Sequence, residues 1–333
     1  MSEDVLIKNP LLVVGIGGAG SKLAREVSET IGCECLLVSN DKRDLVGSNN
    51  SIFINSGKWV NPSAYKLRSF ASAKLGQIMN KLEGFGTVLV IANLAGRAGA
   101  AIAPLVCNAA HNNTSSSNTA VISFAIMPFG FEKDRIFSAG VSLKRLREAS
   151  DSTVVMDNDA FLDNNPELSK EECYSITNCA IVEVASSIAS RSVRPDLNLL
   201  STSRMLSDSQ ASLRDSVSML YQNIADTNAI RRTVVYVTGG DKLPISQLNQ
   251  LVGFAQGIFK EEGTTEVAIS SVAADSVDGG VRVHVVASAP QKTRFDAYDP
   301  LGEIFSAGSH LDWDEPDSAP DLEMLATLIP VIE

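Results

Sequence analysis

Short apolar runs alternate with segments of helical period through the first half of the chain. Each run is continuous instead of alternating with polar residues, which is typical of strands that are buried on both faces. The runs lie at residues 11–14, 35–38, 87–92, 120–126 and 153–156. Between the first two runs, Leu23, Val27 and Ile31 recur at helical spacing. This alternation predicts an α/β fold built on a Rossmann-like parallel sheet with helices on both faces.

The second half predicts a long helix and then a smaller α+β unit. Residues 171–191 have helical period and few charges, which indicates a helix buried on most faces between two domains. The unit after it is expected to contain strands at 231–237, 267–272 and 281–287 and a helix at 245–260. In the last strand, valines alternate with Arg282 and His284, so we expect one of its faces to contact water.

The last segment differs in charge from the rest of the chain. Residues 291–333 hold ten acidic residues, two basic residues and four prolines, and the whole chain carries a net charge of −11. This composition predicts a mostly disordered acidic tail and excludes a nucleic-acid surface as the main function. An apolar stretch at 322–332 suits docking in a partner's groove, or packing against the chain's own second domain.

Composition and histidine placement limit the compartment and the chemistry. The chain has 44% hydrophobic residues and five cysteines, and it lacks an apolar run of about 20 residues, which predicts a soluble protein of the reducing cytoplasm. Its three histidines have no cysteine or carboxylate at ligand spacing, so we do not expect a structural metal site. The second domain also offers no histidine with a partner that would make it a catalytic base.

A glycine-rich turn follows the first predicted strand. Gly15, Gly17 and Gly20 have the spacing G-x-G-x-x-G and open a helix, so backbone N–H groups can approach a phosphate at the positive end of the helix dipole. Alone, this turn fits a dinucleotide-binding Rossmann fold, with Asp41 near the usual place of the ribose-binding acid. It equally fits glycines that only allow a helix to pack tightly on a strand.

An ordered set of strand-end segments resembles the FtsZ/tubulin superfamily. Residues 11–21 resemble the first phosphate turn of FtsZ, and 95–104 stand where the family has its glycine–threonine signature and an Ala-Pro. The turn 128–132, Pro-Phe-Gly-Phe-Glu, resembles the family's ribose turn. Thr238-Gly239-Gly240 and Val281-Arg282-Val283 resemble its C-terminal domain. The resemblance covers residues 8–290 in order, and the divergence of the motifs favours an archaeal FtsZ-like protein.

This resemblance implies roles for individual residues. Groups on the two glycine turns would hold the phosphates: Gly17, Gly18, Ala19 and Ser21 on the first, Gly96 and Gly99 on the second. Glu132 would accept hydrogen bonds from the ribose, with Arg135 beside it. Asn158 and Asn178 would read the guanine edge, because an amide both donates and accepts. Asn178 fits equally a polar residue that faces solvent on the long helix.

The second phosphate turn departs from the family. Ala98 and Ala100 replace both threonines of the signature, and Arg97 replaces a glycine. The lost hydroxyls would have bonded to phosphate or to the water shell of a metal. Arg97 either supplies a charge-assisted contact to a phosphate or points into solvent.

The loop after the long helix departs from the family more strongly. In FtsZ this loop carries two acids that enter the neighbouring subunit's site and position water and metal. In the register that keeps Asn198, Leu200 and Ser203 replace them, and Asp196 is the remaining candidate for a catalytic acid. Phosphoryl transfer depends on positioning and charge, and loss of one such group commonly costs about 100- to 1000-fold in rate. We therefore predict slow or absent GTP hydrolysis.

The resemblance implies a filament-forming cytoskeletal protein of cell division or cell shape. Its parts would be a GTP-binding domain, a central helix, a C-terminal α+β domain and the tail, at residues 1–170, 171–195, 196–290 and 291–333. It would bind GTP or GDP, with room for Mg²⁺, associate head-to-tail with itself, and offer its tail to a membrane-anchor protein. One alternative is a pseudo-GTPase that does not hydrolyse GTP and regulates another FtsZ filament. Another is an NAD-binding Rossmann oxidoreductase.

Overall fold

The computed structural model shows one long mixed sheet with helices on both faces. It describes residues 7–59, 61–112, 119–189, 197–224, 230, 232–239, 243–259, 264–269, 280–288 and 294–298. The strands are β1 Leu11–Ile16, β2 Glu34–Ser39, β3 Ser51–Phe53, β4 Thr87–Asn93, β5 Ala120–Met127, β6 Ser152–Asp157, β7 Leu199–Thr202, β8 Arg232–Thr238, β9 Thr264–Ile269 and β10 Arg282–Ala287. Their order in the sheet is β3-β2-β1-β4-β5-β6-β7-β10-β8-β9.

The helices connect these strands and cover the sheet. They are α1 Gly17–Ile31, α2 Ala64–Ser72, α3 Leu75–Leu82, α4 Arg97–His111, α5 Lys133–Glu148, α6 Asn158–Asn164, α7 Lys170–Ile188, α8 Ser209–Gln222 and α9 Ile245–Ile258. Short 3-10 helices lie at Lys42–Leu45 and Arg294–Tyr298. The 19 residues of α7 form the long helix predicted between the two halves. A capping box at its start, Ser169 with Glu172, fixes where it begins.

The first half is the predicted parallel sheet. Strands β3, β2, β1, β4, β5 and β6 pair in parallel with their neighbours. One apolar cluster lies on the face covered by α2, α4 and α5, and a second lies on the face covered by α1 and α7. Both faces of this part of the sheet are therefore buried, which explains why its strands have continuous apolar sequences. The α/β fold class is confirmed.

The sheet continues without a break into the second half. Strand β7 pairs in parallel with β6, through Val155 opposite Leu199 and Met156 opposite Leu200. Strand β10 is antiparallel to both β7 and β8, and β9 pairs in parallel with β8. Part of the segment compared with the catalytic loop of FtsZ is thus a strand, and Leu200 and Ser203 are fully buried. Asp196 lies outside the described residues.

The prediction that one face of the last strand contacts water is wrong. His284 is fully buried, and the side chain of Arg282 is only 12% exposed. Glu183 of α7 covers both, because its carboxylate accepts from Arg282 Nη1 at 2.8 Å and lies 2.5 Å from His284 Nε2. The prediction that no histidine here has a partner is also wrong: 101 residues separate the pair in sequence. Complete burial nevertheless keeps this imidazole away from any substrate.

The described helices and the tail add two facts. Within the described part of the chain, no helix combines the length and the apolar character needed to cross a membrane. Of the predicted tail, Arg294–Tyr298 forms a 3-10 helix that packs against α5. The remaining tail residues, including the apolar stretch 322–332, lie outside the described residues.

Candidate functional site

The predicted site residues follow the carboxyl ends of neighbouring parallel strands. Strands β1, β4, β5 and β6 are adjacent in the sheet, so the turns after them meet at one edge, where ligands of such sheets bind. These turns carry Gly17, Gly18, Ala19 and Ser21 after β1, Gly96, Arg97 and Gly99 after β4, Glu132 and Arg135 after β5, and Asn158 after β6. Asn178 lies on α7 and is half-buried.

Two helix N-termini meet in the centre of this edge. Helices α1 and α4 both begin without a side-chain cap and without an acidic residue in the first turn. A Cβ atom added at Gly17 would lie 3.0 Å from Cβ of Ala98 and 3.8 Å from the backbone nitrogen of Gly99, so the two first turns touch. Uncapped N–H groups and the positive ends of two helix dipoles create a positive region suited to an anion.

The glycines of these turns serve two purposes. A Cβ atom at Gly20 would lie 2.3 Å from the carbonyl oxygen of Ile91, and one at Gly99 would lie 2.0 Å from that of Asn93. These two glycines are required for close backbone packing. Gly18 and Ala19, in contrast, are exposed at the start of α1. Packing therefore explains part of the motif and leaves the first turn of α1 open to a ligand.

Two side chains near the starts of α4 and α1, Arg97 and Ser21, add groups that suit an anion. Arg97 is exposed at the start of α4, and its guanidinium makes no hydrogen bond to any described residue. A cation at this end of a helix opposes the dipole, and a bound anion would relieve that cost. Ser21 is buried, and its hydroxyl has no hydrogen-bond partner among the described residues. An unsatisfied hydroxyl beside the first turn of α1 fits a phosphate acceptor.

The carboxylate of Asp44 lies beside the start of α1, and no pattern in the sequence predicted it. Asp44 Oδ1 lies 3.0 Å from where a Cβ atom of Gly18 would be. The carboxylate accepts from the Ser39 hydroxyl at 2.6 Å, and Arg25 donates to the Asp44 carbonyl oxygen at 2.8 Å. The first turn of α1 thus has a negative neighbour on one side. No group of three or more metal-ligating side chains occurs within the described ranges.

Glu132 is held in place from three directions. It is 8% exposed, and its Oε1 lies 3.1 Å from Arg135 Nη1 and 3.2 Å from Lys170 Nζ. Its Oε2 accepts from the backbone nitrogen of Phe129 at 3.2 Å. Burial alone would lower the pKa of Lys170, but the hydrogen bonds to Glu132 and Tyr174 and the charges of both groups together outweigh it and raise that pKa. Glu132 is therefore an oriented acceptor next to two cations.

An aromatic cluster surrounds Lys170 beside Glu132. The rings of Phe129, Phe131 and Tyr174 have their centroids 5.3 to 5.6 Å from its ammonium nitrogen. Tyr174 is half-buried on α7, and Asn178 follows it by one helical turn on the same face. A ring and an amide on one face of a helix provide a flat apolar surface and an edge-reading group. Sequence reasoning found only the amide, although the spacing of four residues would have indicated the ring.

Asn158 is positioned at the first residue of α6. It is 1% exposed, its Nδ2 donates to the carbonyl oxygen of Met127 at 3.4 Å, and its Oδ1 has no partner among the described residues. The Cys173 thiol contacts the Asn158 carbonyl oxygen at 3.6 Å, which brings α7 against this loop. A buried amide oxygen without a donor fits a base that offers N–H groups. The described residues thus fit both the phosphate end and the base end of a nucleotide.

Comparisons with known proteins agree with this geometry. Residues 10–166 match the family model described as the Tubulin/FtsZ family, GTPase domain. The chain is 26% identical over 279 residues to cell division protein FtsZ 1 of Halobacterium salinarum, covering 75% of this chain and 69% of that protein.

Solved structures extend the similarity beyond the matched domain. A point mutant of FtsZ from M. jannaschii superposes with a TM-score of 0.68 at 15% identity, covering 86% of this chain and 93% of that one. CetZ2 from Haloferax volcanii, solved as a GTPγS-bound protofilament, gives a TM-score of 0.62 at 18% identity, covering 88% and 97%. Residues 10–166 are therefore similar to the GTPase domain of the tubulin/FtsZ family, and these solved structures share the fold of this chain.

Proposed function

We propose that this protein is a filament-forming cytoskeletal protein of cell division or cell shape that binds GTP or GDP and hydrolyses GTP slowly or not at all. The observation that carries the proposal is the contact between the first turns of α1 and α4, at Gly17 and Ala98. Two uncapped helix N-termini at the carboxyl edge of a parallel sheet form a phosphate cradle. Gly18, Ala19, Ser21, Gly96 and Arg97 surround it.

A guanine base is favoured over other bases by the groups on the other side of the edge. Asn158 has a free buried acceptor, and Asn178 lies on α7 one turn after Tyr174. Glu132 is oriented to accept from ribose hydroxyls, with Arg135 and Lys170 beside it. Adenine and nicotinamide present different donor and acceptor patterns. This arrangement, together with the match of residues 10–166 to the GTPase-domain model of the family, ranks GTP or GDP above NAD.

Slow hydrolysis follows from the buried segment after α7. The positions compared with the catalytic acids of FtsZ, Leu200 and Ser203, are fully buried in this chain's own sheet. Ser203 Oγ accepts from the backbone nitrogen of Val283 at 3.0 Å and donates to the Arg204 carbonyl oxygen at 2.8 Å, so the segment is committed to internal bonds. In the phosphate cradle, Ala98 and Ala100 provide no hydroxyl that would hold a metal-bound water. Mg²⁺ would bind chiefly through the phosphates.

Head-to-tail association is the proposed mode of assembly. CetZ2, a structural neighbour, is described as a GTPγS-bound protofilament. Exposed apolar side chains of this chain, Val46 and Phe131, follow β2 and β5 and flank the proposed nucleotide edge. A second copy laid over this edge would cover both, and a heterologous contact of this kind repeats into an open filament.

The test of this proposal is assembly and turnover measured on one sample. Electron microscopy and sedimentation of the full chain with GTP, GDP and no nucleotide should show filaments that depend on a guanine nucleotide. Phosphate release at the same protein concentration should stay at least about 100-fold below the rate of an FtsZ control. Absence of filaments in all three conditions would contradict the assembly proposal, and turnover near the control rate would contradict slow hydrolysis.

A regulator of another FtsZ filament is a second candidate because of Asp44. Its carboxylate lies next to Gly18, where a phosphate would otherwise be the only anion near the first turn of α1. A chain in which this side chain replaces the phosphate would hold no nucleotide and could still bind a related filament. Asp44→Asn separates the two candidates: nucleotide binding that appears only in this variant favours the regulator.

A further inference from the structure

The short helix Arg294–Tyr298 lies beside the residues proposed to bind base and ribose. It contacts α5, which follows β5, and aspartates of β6 and α6. We call this short helix the C-terminal strap. Phe295 is 3% exposed and belongs to the apolar cluster beneath α5 and α8. Its ring meets that of Tyr298 edge-on, with centroids 5.8 Å apart. The Arg294 backbone nitrogen donates to the Asn223 carbonyl oxygen at 3.4 Å, just after α8. Burial of Phe295 therefore holds the strap in place, so the position of the strap does not depend on charge interactions alone.

Arg294 extends from this seat to three aspartates on β6 and α6. Its Nε lies 2.9 Å from Asp157 Oδ2, its Nη2 lies 2.5 Å from Asp159 Oδ2, and its Nη1 lies 3.5 Å from Asp163 Oδ2. Asp157 is completely buried and Asp159 is 20% exposed, whereas Asp163 is 53% exposed. The two short contacts are thus the desolvated ones, where a charge pair interacts most strongly.

The two inner aspartates hold the turns that carry the nucleoside-binding candidates. Asp159 Oδ1 accepts from the backbone nitrogen of Gly130 at 2.7 Å, two residues before Glu132. A Cβ atom at Gly130 would lie 2.8 Å from Asp159 Oδ2, so a larger residue there would displace this carboxylate. Asp157 Oδ1 accepts from the Asp159 backbone nitrogen at 3.0 Å and caps α6 next to Asn158. One guanidinium therefore fixes both carboxylates that orient Glu132 and Asn158.

We propose that Arg294 is a positioning residue for nucleoside recognition, through which the C-terminal strap controls the affinity for the guanosine part of the ligand. This inference rests on the proposed nucleotide function. The contacts of Arg294 described above lie on β6, on α6 and at the residue after α8, beside the groups assigned to base and ribose, so we expect its effect on that side of the ligand.

The test compares binding of a fluorescent GDP with binding of inorganic triphosphate. Arg294→Gln should weaken GDP binding at least tenfold and leave the affinity for triphosphate within about twofold of wild type, because only the nucleoside side loses its support. Arg294→Lys, which keeps the charge without the planar fork, should fall between. Asp163→Asn removes the exposed, long contact and should stay within twofold for both ligands. Unchanged GDP binding in Arg294→Gln, or equal weakening of both ligands, would overturn the inference.

A second variant and a second readout guard against misfolding and against failure of the nucleotide proposal. Asp159→Asn keeps the side-chain shape and removes the charge, and its effect on GDP affinity should not add to that of Arg294→Gln. Fully additive effects would overturn the coupling. Hydrogen exchange of residues 128–132 in nucleotide-free protein should rise in Arg294→Gln. If wild type binds no guanine nucleotide, the nucleotide proposal fails, while this exchange still supports or refutes the positioning of the turn.

Discussion

Gly17 and Ala98 bring the first turns of α1 and α4 into contact: a Cβ atom at Gly17 would lie 3.0 Å from Cβ of Ala98. This closeness means that a charge placed at Ala98 acts on both helix N-termini at once. Ala98 is half-buried, so a longer side chain can extend from it without displacing the core. The contact therefore offers a direct way to test whether the edge holds phosphates.

Ala98→Glu should weaken binding of GTP and GDP by at least about tenfold, or about 1.4 kcal/mol, because a carboxylate would repel the phosphates. Ala98→Gln has nearly the same shape without the charge, and it should weaken binding less. Titration of a fluorescent GTP analogue measures both variants. Equal affinities for the two variants would show that charge at this position does not matter and that the phosphates bind elsewhere.

The buried Glu183–His284–Arg282 cluster should be required for stability. Glu183→Gln removes the charge that pairs with Arg282 and lies beside His284, and breaking a buried pair in this way costs about 3–5 kcal/mol. Glu29→Gln, on the exposed surface of α1, is the matched control and should change the free energy of unfolding by less than about 0.5 kcal/mol. Urea unfolding of the two variants tests this, and similar stabilities would contradict the assigned role.

The same cluster predicts a dependence on acid. Burial would raise the pKa of Glu183, but the hydrogen bond from His284 and the charges of His284 and Arg282 outweigh it and hold the pKa below its usual value. The stabilisation is thus fully present above the unfolded pKa of about 4.3 and is lost as the pH falls through the lower folded pKa. The stability gap between wild type and Glu183→Gln should therefore narrow below about pH 4. A gap that stays constant would contradict this.

Asp157 predicts the opposite trend near neutral pH. Burial raises its pKa to about 7, and the neighbouring Arg294 offsets this only in part. A raised folded pKa contributes stability that is fully present below about pH 3.9 and is lost as the pH rises through about 7. Wild type should therefore lose more unfolding free energy than Asp157→Asn between pH 5 and pH 7, at up to about 1.4 kcal/mol per pH unit. Parallel pH profiles of the two proteins would contradict the shift.

Restoring an acid after α7 should not restore hydrolysis. Ser203→Asp would place a carboxylate at a fully buried position whose hydroxyl already bonds to Val283 and Arg204, and we expect a loss of more than about 2 kcal/mol in stability. Asp196→Ala should leave phosphate release at the wild-type level. A rise in turnover for the first variant, or a clear fall for the second, would show that this segment supplies catalytic acids after all.

The local pattern of apolar residues was sufficient to predict the parallel half of the sheet. Continuous apolar runs identified β1, β2, β4, β5 and β6, because strands dry on both faces require them. The glycine turn predicted the start of α1 for the same kind of reason: backbone approach at Gly20 tolerates no side chain. These features depend on neighbours close in sequence, so a single chain reveals them.

Features that depend on distant residues could not be predicted in this way. Glu183 and His284 are 101 residues apart, so the alternating pattern of β10 suggested a wet face where α7 in fact covers it. Arg294 and Asp157 are separated still further, and the acidic composition around Arg294 suggested disorder. The turns that carry the predicted site residues follow adjacent strands, as their order in the sequence indicated, and their role in binding stays a prediction. The carboxylate of Asp44 beside Gly18 arises from the path of the chain after β2.

The most direct test of the central claim is the nucleotide that the purified protein holds. The full chain is denatured after rapid purification, and the released small molecules are separated by chromatography against GTP, GDP, ATP and NAD standards. A protein stripped and then reloaded with an equal mixture of the four is treated identically. We expect GTP or GDP in both samples. NAD or ATP in either, or no nucleotide even after reloading, would contradict a guanine-nucleotide site between α1, α4 and α7.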